Sequence, residues 1–566
     1  MPGSGHTHDG SVFYDDDDEP AVLYAPALST ENSSDSSSAK YPITVSTTGN
    51  KTILVILATF PDLAFNSGSA TTPGTQTHDA SYYSNLLQGA SGLTMKQYYL
   101  QQSRNKLNLS FKVVGGPGYA GMDYTASQGY SYYGANYAGI RSEDIRPGHL
   151  IYEMLNKAKN DPGLSGTNLD NCTVIVIHAG QGEEESAASA DCIWSHRSSL
   201  TKRKKSEGDI SAVTIGGKVF NDYIVVPEYN VWRNTATSKY EYEATIGVFC
   251  HEFGHVLGLQ DAYDTSYATS GVGAWSLMGA GSWGTTGKAG KASGSDPAPL
   301  MAWERLALGW IDEEPIATEA GVKSYSFYDI NDINKSGKVY TVKLTDNQFL
   351  LLEGKAQNMS GTGMCVPENG LLVTQMHKGI LSDYWTKNTI NYGNSRPHGV
   401  MVVEAVAENY KENGLGNLWR AESTSNRFTT TALFRRGTLT SVCPSGETVN
   451  ASIPFMPIFI DTIIASGVVI GMVAAWYAGR RKLCAVIAVA VTALCISMGC
   501  TIYVESSGGG TKDTGPNTNY YLTTYNVHSK TGISGITIYN IKCKSDGSGS
   551  FTIKREQNSS SEQDDI

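Results

Sequence analysis

The sequence predicts an α+β chain, and three observations carry that expectation. Up to about Ile311, apolar β-branched runs alternate with two or three long helical stretches. From 312 to 450, short strand-like runs sit between Gly/Asn turns, which reads as a β-rich second unit. Two apolar runs, 458–478 and 483–504, are each long enough to span a bilayer.

Taken in order, residues 1–43 combine an acidic run, Asp15 to Glu19, with the Ser-rich ENSSDSSSAK. Such a composition cannot bury a core and reads as a disordered leader; a pro-segment is the functional alternative. TILVILATF (52–60) is a buried strand by its β-branched content. TMKQYYLQQSRNKL (94–107) has helical spacing and leads into the alternating strand LNLSFKVV. RPGHLIYEMLNKAKN (146–160) is a second helix, with Pro147 near its start. CTVIVIHAG (172–180) and DYIVVPE (222–228) are further strands. In the second unit VYTVKL, FLLLEG, GLLVTQMH and GVMVVEAV are short strands.

Between the two long apolar runs lies Gly479-Arg480-Arg481-Lys482, so the expectation is a transmembrane hairpin with this turn in the cytoplasm and both flanking parts outside. The basic-apolar-Ser497-Met498-Gly499-Cys500 order also fits a lipoprotein-type signal. The chain opens with polar and acidic residues and shows no signal peptide, so the start is expected to be truncated. The tail strands within 505–566 are expected to close the β-rich unit.

Composition narrows the classes. Of 566 residues 40% are hydrophobic and only 17% charged, with 60 Gly and 32 Tyr. That balance suits a strand- and loop-rich extracellular-type protein. A net charge of −11 with no basic stripe argues against nucleic acid as a partner. The run Lys202-Arg203-Lys204-Lys205 reads as a solvated loop. Nine Cys occur; Cys484, Cys495 and Cys500 lie in an apolar run and the rest show no CxxC spacing, which excludes a zinc ribbon. One or two disulfides would be compatible with export.

The chemistry concentrates in TIGVFCHEFGHVLGLQDAYD (245–264). His251 and His255 are four apart and therefore share one helix face, where two imidazoles can converge on one metal ion. Glu252 stands beside them, placed to take a proton from a metal-activated water. The flanking Ile246, Val248, Phe249, Phe253, Val256 and Leu257 are apolar, so the polar trio must be satisfied internally, which Zn²⁺ would do. A bare HExxH arises by chance in roughly one chain of this length in a hundred. Here it continues through Gly258, suited to a left-handed helix end, to Asp261, a carboxylate third ligand. Met278 follows in the turn WSLMG.

These residues, with VILATFPD, MKQYYLQQSRNKLNL, VIVIHAGQGEEESAASADCIWSH and WSLMGAGSW, resemble the immune inhibitor A-like metallopeptidases, relatives of the metzincins. FLLLEGKAQ, GLLVTQMH and HGVMVVEA resemble the trailing β-region of that family, and 514–554 its closing strands, so the likeness covers roughly residues 44–410 and the tail. The resemblance implies a metzincin-like zinc protease domain, a twisted sheet plus an active-site helix, at 44–311. It implies a zinc endopeptidase acting on protein or peptide substrates, with His251, His255 and Asp261 as ligands, Glu252 as general base and Met278 as the apolar floor. Relatives often have Pro and Glu around the Asp, where this chain reads Gln260-Asp261-Ala262, so Asp264 competes for third ligand. The leader has no Cys, which excludes a thiolate latch on zinc. His178 and His196 could bind substrate or a second metal, or serve as structural hydrogen-bonding groups. Glu183 to Glu185 could hold a structural Ca²⁺ or form a solvated turn. With the hairpin, the expected location is the cell membrane with an extracytoplasmic catalytic domain, or secretion if the hairpin is not native. The competing readings are a catalytically silent cell-surface binding module and a hydrolase of non-peptide substrates on the same fold.

Overall fold

Ile53 to Ala58 are all fully buried, as expected of a strand covered on both faces in a parallel sheet. The computed structural model places them at the centre of such a sheet. It describes residues 43, 45–66, 76–137, 144–184, 191–229, 233–234, 239–240, 243–266, 271–284, 292–316, 321–335, 337–343, 347–356, 370–393, 398–403, 433–434, 436–440, 536–544 and 548–555. All of these fall within one of the two compact units of the chain.

Strand Gly49–Ala58 pairs in parallel with Leu107–Gly115 on one side and Thr173–Gln181 on the other. Asp222–Tyr229 continues the sheet in parallel, and His196–Ser199 closes it as an antiparallel edge. Helix Ala80–Gln88 starts at Asp79, whose carboxylate accepts the Tyr82 amide. Helix Met95–Gln102 starts with a reciprocal Thr94–Gln97 capping box, a device that stabilises a helix by about 1 kcal/mol. It stops where Arg104 and Asn105 turn left-handed, at φ 53° and 65°, which reverses the chain into Leu107–Gly115. Pro147 opens helix Pro147–Ala158, where its missing N–H costs nothing.

One helix lies where the sequence reads as a loop. The basic run Lys202 to Lys205 lies on helix Leu200–Glu207, capped by Ser199, and is not a loop. Its polarity hid it, because only Leu200 is buried and no apolar stripe is needed. Arg203 turns inward instead, donating to the Asp144 carbonyl at 3.1 Å and facing Glu207 at 3.7 Å.

Beyond Ile311 the chain is β-rich. Strands Asp312–Pro315, Lys338–Lys343, Gln348–Lys355, Gly370–His377 and Val400–Val403 form a sheet in that order, with Leu433–Phe434 also pairing to Gly370–His377. A second, antiparallel sheet runs Gly321–Phe327, Gly549–Arg555, Ile536–Cys543, Arg436–Thr440. The tail strands are thus woven into this region. Tyr325, Phe327, Phe551 and Ile553 of one sheet pack with Val342, Leu350, Leu352 and Val373 of the other. A single apolar core joins the first sheet to this region, running through Trp303 and Trp310 to Val339, Leu372, Trp385 and Ile390.

The expected fold class needs correction. The architecture is mixed α/β with several sheets, and no helix among the described residues is long and apolar enough to cross a membrane. The longest, Pro147–Ala158, has 12 residues, whereas a bilayer needs about 20. The expected hairpin itself, 458–504, lies outside the described residues. The transmembrane element, membrane partner and membrane location read from the sequence are therefore set aside.

Candidate metal centre

Helix Ile246–Val256 buries Ile246, Phe249, Cys250 and Phe253 and turns His251, Glu252 and His255 the other way. Tyr99 of helix Met95–Gln102 holds it from behind, donating to the Cys250 carbonyl at 2.5 Å with its ring 5.0 Å from Phe253. Two glycines let the opposite flank lie flush on the segment 271–284. A Cβ on Gly247 would meet the Ser282 carbonyl, and one on Gly254 would meet the Met278 sulfur. Gly258, at φ +95°, then ends the helix in the left-handed region and folds the chain back.

That reversal brings Asp261 beneath the two histidines. Its Oδ1 lies 3.1 Å from His251 Nε2 and 3.3 Å from His255 Nε2. Among the described residues these three form the one group of His, Cys, Asp or Glu donors close enough to share a metal ion, all within 4.8 Å. Each Nδ1 faces a backbone carbonyl, His251 that of Leu277 at 3.0 Å and His255 that of Leu259 at 2.9 Å. A carbonyl only accepts, so Nδ1 carries a proton and each imidazole, in its neutral form, directs the Nε2 lone pair inward.

Three acceptor atoms converging in a buried space call for a cation. Donor atoms about 2.0–2.1 Å from a tetrahedral Zn²⁺ are about 3.3 Å apart, close to the separations observed here. Asp261 is 5% exposed, and its Oδ1 has no hydrogen-bond donor. The donor set therefore fits zinc. Without metal, burial disfavours a charged imidazole, but the Asp261 carboxylate outweighs it and raises His251 to about 9 and His255 above its ordinary value. Burial alone would raise the Asp261 carboxyl; the two imidazoles instead hold it far below the usual range.

Glu252 is 6% exposed. Burial raises its carboxyl above the ordinary value, opposed by the two histidines and by a hydrogen bond from the Arg197 amide of the edge strand. Met278 is fully buried under the helix; its carbonyl accepts from Ala262 N–H and its N–H donates to Ser276 Oγ, both at 2.8 Å. Asp264 lies outside the cluster. Its Oδ1 accepts from the Ser266 amide and hydroxyl and from Gly393 N–H, at 2.7 to 2.9 Å.

The other sequence candidates are placed elsewhere. His178 is fully buried with Nδ1 on the Ala179 carbonyl, and burial lowers it to about 4. His196 lies between the Trp194 carbonyl, at 2.8 Å, and the Tyr223 hydroxyl, at 3.0 Å. Glu183 is fully buried and accepts from Asn136, so it is no solvated turn, and Glu184 accepts from the Ser195 hydroxyl at 2.6 Å. Glu185 lies outside the described residues. Cys172 and Cys250 are buried free thiols, and Cys192 is buried beside the Gln181 side chain.

Sequence reasoning missed two features. Asn388, beyond helix Lys378–Tyr384, grips Asp261: its Oδ1 accepts the Asp261 amide at 2.7 Å, and its Nδ2 donates to Asp261 Oδ2 at 2.5 Å. Fully buried His78 sits between two carboxylates, with Nδ1 2.6 Å from Glu228 Oε1 and Nε2 3.1 Å from Glu243 Oε1. Glu228 also accepts the Asn66 and Gly180 amides, and Glu243 the Tyr82 hydroxyl. Burial lowers the His78 pKa, but the two carboxylates outweigh it and raise it to about 9.

A helix bearing paired histidines thus lies against a parallel sheet with an antiparallel edge, faced by a carboxylate and by the turn that carries Met278. Residues 169–311 match the family model described as immune inhibitor A peptidase M6, catalytic domain. The chain is similar to the pre-pro-metalloprotease PrtV of Vibrio cholerae serotype O1, 29% identical over 338 residues, covering 52% of this chain and 33% of the relative. It is also similar to immune inhibitor A of Bacillus thuringiensis subsp. alesti, 28% identical over 294 residues, covering 45% of this chain and 39% of that protein. The likeness to the catalytic domain of the immune inhibitor A-like metallopeptidases is thus carried by residues 169–311. The chain spans about a third of the length of the curated relatives it matches.

Proposed function

We propose that this protein is a zinc-dependent endopeptidase acting on protein substrates, with residues 44–311 as its catalytic part and 312–450 as a β-rich companion. The observation that carries this reading is the convergence of His251 Nε2, His255 Nε2 and Asp261 Oδ1 within 4.8 Å, with both Nδ1 atoms occupied by carbonyls. In this reading His251, His255 and Asp261 hold Zn²⁺. When bound, zinc supplies Lewis acidity that polarises a peptide carbonyl and makes a water easier to deprotonate.

The remaining chemistry belongs to the chain's own residues. Glu252 is the general base: it accepts a proton from the attacking water and returns it to the leaving amine. Its burial suits the first half of that cycle, since a raised carboxyl takes up a proton more readily than an exposed one. The Arg197 amide favours the charged form of that carboxylate. Met278 and Gly254 in contact form an apolar floor that keeps the two histidines in register. Ala262 N–H on the Met278 carbonyl ties that floor to the ligand loop.

Metal analysis of the purified chain, beside a casein-degradation assay with and without chelator, tests the reading. About one zinc per chain and chelator-sensitive degradation are expected. A chain that takes up zinc but cleaves no unfolded protein would favour the binding-module reading.

A further inference from the structure

Asp261 and the residue that orients it are 127 positions apart, and the contact between them has a geometry that a carboxylate alone would not adopt. Asn388 meets Asp261 at two points. Because the Asp261 N–H must find an acceptor, the Asn388 carbonyl oxygen faces it, at 2.7 Å. The Asn388 amino group is then left facing Oδ2 of the same residue. This fixes the amide orientation from the hydrogen-bond network itself. It also fixes the carboxylate: Oδ2 is held by a donor, and Oδ1 is turned to His251 and His255.

The turn that carries Asn388 is firmly anchored. Asn388 has φ 53°, a left-handed conformation that Asn tolerates better than most residues, and its N–H donates to the Trp385 carbonyl. Trp385 is buried against Trp303, with ring centroids 6.1 Å apart, within the core shared by the first sheet and the β-rich region. Two further bonds from the same segment hold the ligand loop without touching Asp261. Asn391 donates to the Ala262 carbonyl at 2.7 Å, and Gly393 N–H donates to Asp264 at 2.8 Å.

Resting on the metal reading above, we propose that Asn388 is a positioning residue for the third metal ligand. Its side chain sets Asp261 to offer Oδ1 alone, so the metal centre is completed from the β-rich region. Partners that orient a ligand in this way are worth about 10–100-fold in metal affinity.

The test is a zinc competition titration on the full chain, paired with the visible spectrum of the Co²⁺-substituted form. Asn388→Gly keeps the left-handed turn and removes the grip, so Ala-type backbone strain is avoided. It should weaken zinc binding about 10–100-fold and alter the Co²⁺ spectrum. Asn388→Asp keeps an acceptor for the Asp261 amide but loses the donor, and should lose at least as much affinity. Asn391→Ala loosens the same loop through a backbone carbonyl and should leave the Co²⁺ spectrum unchanged. Wild-type zinc affinity and spectrum in Asn388→Gly would overturn the proposal. If that variant does not fold, the same result in the nearly isosteric Asn388→Asp would overturn it. If the wild-type chain itself takes no zinc, the metal reading has failed, and this assignment with it.

Discussion

Two three-residue constellations among the described residues join imidazole to carboxylate in opposite ratio, two His with one Asp against one His with two Glu, and they suit opposite tasks. At His251, His255 and Asp261 both imidazole Nδ1 atoms are spent on backbone carbonyls, so the two Nε2 atoms and Asp261 Oδ1 are left to converge on one point. At His78 both ring nitrogens face carboxylates, so both must donate, and the ring is an imidazolium. The first cluster is short of positive charge and invites a metal. The second supplies its own charge and leaves no lone pair for one. What separates ligand from strut is the partner of the other ring nitrogen, not burial or the presence of a carboxylate.

The most severe way to break this comparison is to remove a ligand. His255→Ala should abolish both zinc binding and proteolysis, since two donors hold zinc poorly. Glu252→Ala should keep the metal and lower turnover by about a thousandfold, because only the proton carrier is gone. Near-normal cleavage by that variant would remove Glu252 from its role. Asp261→Ala should weaken zinc affinity by more than about 100-fold, beyond what loss of an outer partner costs. Asp264→Ala should leave affinity nearly intact, because its Oδ1 is occupied by Ser266 and Gly393. The reverse order in a competition titration would move the ligand to Asp264.

The strut responds differently. His78→Ala should retain zinc yet cost about 3 kcal/mol of stability at pH 6, because it leaves Glu228 charged and buried. A folded pKa raised from 6.5 to about 9 contributes stability that is fully present below pH 6.5 and is lost as pH rises through 9. Urea denaturation of wild type and variant should therefore show the gap closing between pH 6 and pH 10. An equal gap at both ends would mean that His78 is neutral in the fold. The smallest effect is expected next door: Asp79→Ala removes the cap of helix Ala80–Gln88 and should cost about 1 kcal/mol. That cost should be the same at pH 6 and pH 9, since His78 keeps both partners.

The candidate cluster was legible because its logic is local: eleven consecutive residues, His251 to Asp261, hold both histidines, Glu252, the left-handed Gly258 and Asp261. The buried strands were legible for a similar reason, since Ile53 to Ala58 and Val174 to Ile177 announce themselves by composition. Asn388 was not, because an Asn in a Gly/Asn-rich stretch reads as a turn residue, and its partner lies 127 positions away. His78 was hidden likewise, 150 residues from Glu228 and 165 from Glu243. The polar helix Leu200–Glu207 escaped because periodicity needs an apolar face to show. The membrane hairpin was read from run length and flanking charge alone, and the described helices supply none of the length it requires.

The flush seating of helix Ile246–Val256 restricts which amino acids it can accept. Gly247 and Gly254 are seven residues apart, two helical turns, and so occupy the same flank. With Ser282 and Met278 pressed against them, neither position has room for a methyl group. A saturation library across 246–256 should therefore tolerate broad change at outward positions while both glycines stay fixed. Read on this fold, the effective signature is longer and stricter than the histidines suggest: G-x-x-x-H-E-x-G-H, in which two of the five specified letters encode empty space.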